Sequence, residues 1–229
     1  MKTLLNTTLA FIATASISLS SMAAGSGVAL ESANTDINDR NSLQRGAKLF
    51  MNYCSGCHSI EFMRYNRLGQ DLGLSDEQVT DNLMFTGEKV GDPITSAISK
   101  DASVKWFGTT PPDLSLVSRS KGLDWIYTYL NSFYADDSRP FGVNNHVLVN
   151  ASMPDVLWQL KAEKSEAAFE QDIRDITNFL DYVGEPVKLV RYDLGYKVIG
   201  FLFILFILAY LMKKEYWKDV KYGKWRAKD

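Results

Sequence analysis

Leu43, Gly46, Ala47, Phe50, Met51 and Cys54 follow one another at three- and four-residue steps. That spacing is the stripe of an amphipathic helix, with Asn41 or Ser42 as its expected N-cap. A second helix is predicted from about Asp76 to Phe85, opened by Ser75 with Gln78 as its capping-box partner and closed by Gly87. A third, from Leu123 to Phe133, carries Leu123, Ile126, Tyr127, Leu130 and Phe133 on one face. The fourth is the clearest: Ser165 can cap it, Phe169, Ile173, Ile176, Leu180 and Val183 form its stripe, and Gly184-Glu185-Pro186 stops it. No alternation marks a strand, so the expected class is all-α. Two stretches, Gly87 to Ser118 and Ala135 to Asp155, read as long irregular loops. Loops of that length need something other than secondary structure to organise them, and a large buried cofactor would do so.

The pattern changes at both ends. Val198 to Met212 is continuously apolar, with Tyr196 and Tyr210 suited to an interface and Lys197 able to snorkel. Residues 194–212 are therefore expected to form a membrane anchor rather than a buried core helix. At the other end, Lys2, the apolar run from Leu4 to Leu19 and Ser21-Met22-Ala23 read as a signal peptide over residues 1–23. An uncleaved N-terminal anchor is the alternative. Charge sharpens this layout. The formal net charge of the 229 residues is −2. Lys213 to Asp229 holds seven basic against three acidic residues, whereas Gly25 to Asp193 holds 16 basic against 24 acidic. The positive-inside rule places the 213–229 tail in the cytoplasm and the 24–193 body outside. No nucleic-acid partner is expected of an acidic body.

Both cysteines and one of the two histidines lie in Asn52 to Ile60, NYCSGCHSI. Cys54, Cys57 and His58 stand at i, i+3 and i+4, so one helical turn points all three to the same side. Two thiols so spaced can add across the two vinyl groups of one haem while the adjacent imidazole ligates the iron, and C-x-x-C-H reads as such a site. A disulfide closing so small a loop would stabilise little. A redox dithiol would sit at a helix start after a strand, and a zinc site would need better-spaced ligands. Among candidates for the sixth iron position, Met51 and Met63 are close to the attachment motif and Met84 reads as core. Met153 is favoured because it lies in an irregular segment, Asn150 to Pro154, long enough to wrap a haem edge. His146, in the same loop, is the runner-up. An open sixth position would instead point to a haem enzyme such as a peroxidase.

Cys54-Ser55-Gly56-Cys57-His58, Pro111-Pro112-Asp113-Leu114-Ser115, Arg139 to Asn145 (RPFGVNN), Met153-Pro154 and the single anchor with its basic tail together resemble the cytochrome c1 family, in the bacterial style. The resemblance runs from Ser42 onward. It implies a class-I-like cytochrome c fold around one covalent haem c, in which the helix before the motif crosses the last helix of the body and Pro112 packs along the haem. It implies a subunit of the respiratory cytochrome bc1 complex (ubiquinol–cytochrome c oxidoreductase), a dimeric assembly in the bacterial inner membrane. The chain would take one electron from the Rieske iron–sulfur protein and pass it to a cytochrome c. Quinol would be oxidised at cytochrome b, leaving this chain no quinol chemistry of its own. Many members carry arginine where Lys121 stands here, so Lys121 or Arg119 is the implied propionate partner; a lysine supplies a point charge without the planar fork. A monohaem subunit of another respiratory enzyme and an exported thiol oxidoreductase are the alternatives.

Overall fold

The computed structural model describes residues 28–223, so the expected signal peptide and the end of the basic tail lie outside it. The chain divides after Gly184 into a body and a C-terminal unit.

The body is built on one helix crossing. Helix α1 (Arg40–Tyr53) is capped by Asp39, whose carboxylate accepts the Ser42 N–H at 3.1 Å. The expected caps, Asn41 and Ser42, fall inside the helix, because the Ser42 hydroxyl is turned inward and donates to Asp175 at 2.7 Å. Asp175 belongs to α8 (Glu166–Gly184), is 1% exposed, and also accepts Arg45 Nε at 2.6 Å and Nη2 at 2.9 Å. A buried carboxylate is tolerated because these donors satisfy it. Gly46 sets the separation: a Cβ there would lie 2.1 Å from the Asp175 carbonyl oxygen. One turn on, the rings of Phe50 and Phe179 meet at 5.6 Å. The two stripes predicted from sequence are thus the two faces of the main core, which Ile60 and Leu68 help complete.

Around this crossing run short elements. Strand β1 (Ile60–Arg64) is followed by α2 (Tyr65–Leu72), which ends at Gly73 in the left-handed region (φ 71°), and by α3 (Asp76–Asn82). Both bonds of the Ser75–Gln78 capping box form, but α3 stops well before Phe85. Met84 lies beyond it, packed against the core. Next come β2 (Pro93–Ile94), α4 (Lys100–Phe107), α5 (Val117–Lys121), α6 (Leu123–Asn131), β3 (Phe133–Ala135), β4 (Val143–Asn145) and α7 (Trp158–Glu163). β1 pairs antiparallel with β2 across a register shift, and β3 pairs antiparallel with β4 with Tyr134 opposite Asn144. The class is mostly helical, as expected, with two ribbons the sequence did not announce. A second, smaller core of Tyr129, Phe133 and Val147 lies where α6 meets the β3–β4 ribbon.

In the C-terminal unit, α9 (Lys188–Tyr216) is 29 residues long and α10 (Lys218–Lys221) follows it. At 1.5 Å per residue, α9 exceeds the roughly 30 Å of a bilayer's hydrocarbon core. Its most apolar window has a mean hydropathy of 2.2 and none of it is buried. Phe201, Ile204 and Leu208 are more than half exposed, as in a helix whose apolar surface meets lipid.

Candidate functional site

The last turn of α1 does not unwind at the cysteines. Cys54 and Ser55 both donate their N–H to Phe50 O, at 2.8 and 3.0 Å, and Cys57 and His58 both donate to Cys54 O, at 3.0 and 2.8 Å. The Ser55 hydroxyl adds a bond to Met51 O at 2.7 Å. Cys54, Cys57 and His58 therefore emerge together, and all three line one cavity of about 470 Å³. Cavities of about 300–1,000 Å³ with apolar walls are the usual form of cofactor sites.

The Pro-Pro-Asp-Leu-Ser segment forms an adjoining wall and is tied to the chain just after the motif. Asp113 organises this junction: its carboxylate accepts the Ser59 hydroxyl at 2.7 Å, the Glu61 N–H at 2.9 Å and the Ser115 N–H at 2.8 Å. Leu114 N–H donates to Ser59 O at 2.8 Å. Desolvation works against the Asp113 charge, but the hydrogen bonds from Ser115, Glu61 and Ser59 outweigh it and hold its pKa below the ordinary carboxylate value. The same segment presents Pro112 O to His58 Nδ1 at 2.7 Å. A carbonyl can only accept, so Nδ1 carries the proton and Nε2 keeps its lone pair. Burial also lowers the His58 pKa, against the Pro112 bond and the Asp113 charge, and favours the neutral ring. A neutral imidazole held through Nδ1 is how proteins orient an iron-ligating histidine.

Met153 lines the same cavity from the 146–157 segment. The R-P-F-G-V-N-N motif explains how an irregular segment is held there. Asn144 Oδ1 accepts the Asn150 N–H at 2.8 Å, and Arg139 Nη2 donates to Asn150 O at 2.9 Å, so Asn150 is clamped on both sides at a φ of 66°. Asn145, 0% exposed, donates to Tyr129 O at 2.7 Å and accepts Val147 N–H at 2.9 Å. The segment is thereby tied to α6. Sequence reasoning used this motif only as a family marker; its mechanical role depends on side-chain bonds that spacing does not reveal.

The remaining candidates separate cleanly. Pro112 and Lys121 line the cavity, and Lys121 Nζ lies 5.4 Å from the Trp125 ring centroid. Arg119 is exposed on the same helix and is not among the cavity's described lining residues. His146 is exposed and stacked on Tyr134 at 4.3 Å, also outside that lining. Trp125 and Tyr129, stacked at 5.0 Å, form a wall that the helix stripe read from sequence did not include. Cys54 and Cys57 are not joined to each other in a disulfide, and burial together with the Cys57 charge pushes the Cys54 thiol up to about 12. That is the opposite of the lowered thiol a dithiol oxidoreductase uses. The strand that accompanies the motif follows it rather than precedes it.

A helical body with an apolar cavity between a C-x-x-C-H turn and a methionine-bearing loop, followed by one long apolar helix, defines an anchored c-type cytochrome. The Cytochrome C1 family model matches residues 32–220, and the chain belongs to the cytochrome c1 family. It is 49% identical over 226 residues to cytochrome c1 of Allochromatium vinosum, covering 87% of this chain and 93% of that protein. It is 40% identical over 213 residues to a protein of Nitrosomonas europaea named ammonia monooxygenase gamma subunit, covering 86% and 91%. With cytochrome c1 of Rhodospirillum rubrum the identity is 27% over 230 residues, covering 80% and 84%. Membership makes the chain a membrane-anchored haem c electron-transfer subunit of the cytochrome bc1 complex, alongside cytochrome b and a Rieske protein, and the apolar α9 fits that anchoring.

Proposed function

We propose that this chain takes single electrons from the Rieske iron–sulfur protein and passes them to a cytochrome c carrier, using one haem c. The carrying observation is that Cys54, Cys57, His58 and Met153 line one apolar cavity. When bound, the haem supplies a one-electron ferric–ferrous couple. The chain's own residues account for the rest. Cys54 and Cys57 would hold the group, each S–H adding across a vinyl double bond with nothing released. His58, oriented by Pro112 O, would offer Nε2 to the iron, and Met153 would offer its sulfur. The apolar walls exclude water, which favours the less charged, reduced state and a high potential. Pro112 packs against the group, and Lys121 is the better placed of the two cations for a propionate, with Arg119 the weaker candidate.

The body stands in the periplasm of a bacterial inner membrane and the basic tail in the cytoplasm, by charge asymmetry about α9. A signal peptide over residues 1–23 supports the same orientation, and the chain works within a dimeric complex. The test is a reduced-minus-oxidised spectrum of the membrane-purified chain, a haem stain on a denaturing gel, and the same on Met153→Leu. We expect a haem that survives denaturation in both proteins and a methionine–iron charge-transfer band lost only in the variant. An unchanged ligand field in Met153→Leu would remove Met153 from the site, and a colourless protein with titratable thiols would overturn the whole reading. Purification without cytochrome b or a Rieske protein would favour a different respiratory enzyme.

A further inference from the structure

Tyr129 is a buried tyrosine with a specific polar partner inside the cavity. It lies on α6 and is 8% exposed, with its ring between Trp125, stacked at 5.0 Å, and Phe133, edge-on at 5.2 Å. Its backbone carbonyl is fixed by Asn145 at 2.7 Å. Its hydroxyl donates to Met153 Sδ at 3.5 Å, within the reach of a hydrogen bond to sulfur. A buried hydroxyl needs a partner, and the Met153 thioether, a weak acceptor, is the one it has here.

We propose that Tyr129 is a positioning residue for Met153, holding the thioether in one orientation and withdrawing electron density from its sulfur through the hydrogen bond. The inference rests on the reading of Met153 as an axial iron donor. A thioether sulfur has two lone pairs, so one can serve the metal while the other accepts the tyrosine proton. Electron withdrawal makes the sulfur a poorer donor, which destabilises the oxidised iron more than the reduced. The tyrosine therefore raises the reduction potential of the site. The ring also closes the wall behind the sulfur, so removal of the hydroxyl alone separates the electronic effect from the packing.

The test compares wild type, Tyr129→Phe and Tyr127→Phe as detergent-purified full chains loaded with haem. Tyr127 is the control: it is buried on the same helix, but its hydroxyl accepts from Arg174 and it does not line the cavity. The readouts are redox titration, the methionine–iron charge-transfer band and the rate at which an added external ligand replaces the sulfur. In Tyr129→Phe we expect a lower potential, read as a roughly three- to tenfold smaller ferrous-to-ferric ratio at fixed ambient potential, the scale of one net hydrogen bond. The band should shift and ligand replacement should accelerate, while Tyr127→Phe matches wild type. A Tyr129→Phe protein with an unchanged potential, band and replacement rate overturns the inference while leaving Met153 as donor. Equal shifts in both variants overturn it too, since they would report general packing. A wild type whose band survives Met153→Leu instead fails the underlying reading.

Discussion

Adding one methyl group at Gly46 tests the helix crossing that the site hangs from. In Gly46→Ala the new Cβ would lie 2.1 Å from Asp175 O, 2.7 Å from the Asp175 carbonyl carbon and 2.7 Å from Phe179 Cβ. Two of these atoms are backbone, so no rotamer change relieves the clash. Helices α1 and α8 must separate by about 1 Å, which overpacking data put at about 1–3 kcal/mol. The separation also stretches the Ser42 and Arg45 bonds to Asp175, worth about 1 kcal/mol more, while alanine returns up to about 1 kcal/mol of helix propensity. The net is a loss of about 1–3 kcal/mol. For a chain of this size that lowers the midpoint of thermal unfolding by about 2–12 °C. The assay is the melt of the detergent-solubilised, haem-loaded chain at one scan rate. Gly56→Ala is the internal control, because a Cβ there meets no described atom within 4 Å, and its effect should stay within about 0.5 kcal/mol. A Gly46→Ala protein that melts with wild type would refute the claim that this contact sets the helix separation.

Four further outcomes follow from the site and from the charge of the body. Asp113→Ala leaves the Ser59 hydroxyl and the Glu61 and Ser115 amides without their acceptor, and should cost about 1–3 kcal/mol in chemical denaturation. Because the folded Asp113 pKa is lowered, its stabilisation is complete above the ordinary carboxylate pKa and is lost as pH falls through the lowered value; melts taken below about pH 4 should show wild type converging on Asp113→Asn. Asn145→Ala removes the bonds to Tyr129 O, Val147 N–H and Leu148 N–H, and should destabilise by about 2–4 kcal/mol, with the charge-transfer band weakened before the haem stain. Electron transfer to a basic cytochrome c in stopped flow should slow as salt rises, because the 25–193 body carries 24 acidic against 16 basic residues; a salt-independent rate would remove electrostatic steering.

The parts of the molecule that sequence disclosed are those with a long period or a local chemical signature. The stripes of α1 and α8, the Ser75–Gln78 capping box and the C-x-x-C-H turn could be read from spacing, and the place of Met153 on the cavity from the irregular segment that carries it. Helix α2 escaped notice because it is eight residues long and opens at Arg64 with no side-chain cap. Helix α4 buries only Ser103, so it shows no stripe. The ribbons pair only two to three residues per partner strand in register, too few for a period of two to show. The N-cap was misplaced because Ser42, a good capping residue by type, is spent on a tertiary bond to Asp175. Tyr129 falls outside the stripe read for its helix, and its proposed role depends on where its hydroxyl points.

The two proposed iron donors are carried by cores of unequal size. His58 leaves the end of a helix that is buried in the main core, whereas Met153 packs against the small group of Tyr129, Phe133 and Val147 and is retained by side-chain amides. Segments with few buried apolar contacts open at lower free energy than the whole domain. The pocket is in effect a vice with one fixed jaw and one sprung jaw. Mild denaturant or warming should slacken the methionine side while the histidine side, anchored by the same turn as Cys54 and Cys57, stays closed. Loss of the native ligand field would then precede unfolding, and a partly opened protein would keep its haem and recover its sulfur ligand by closing one loop.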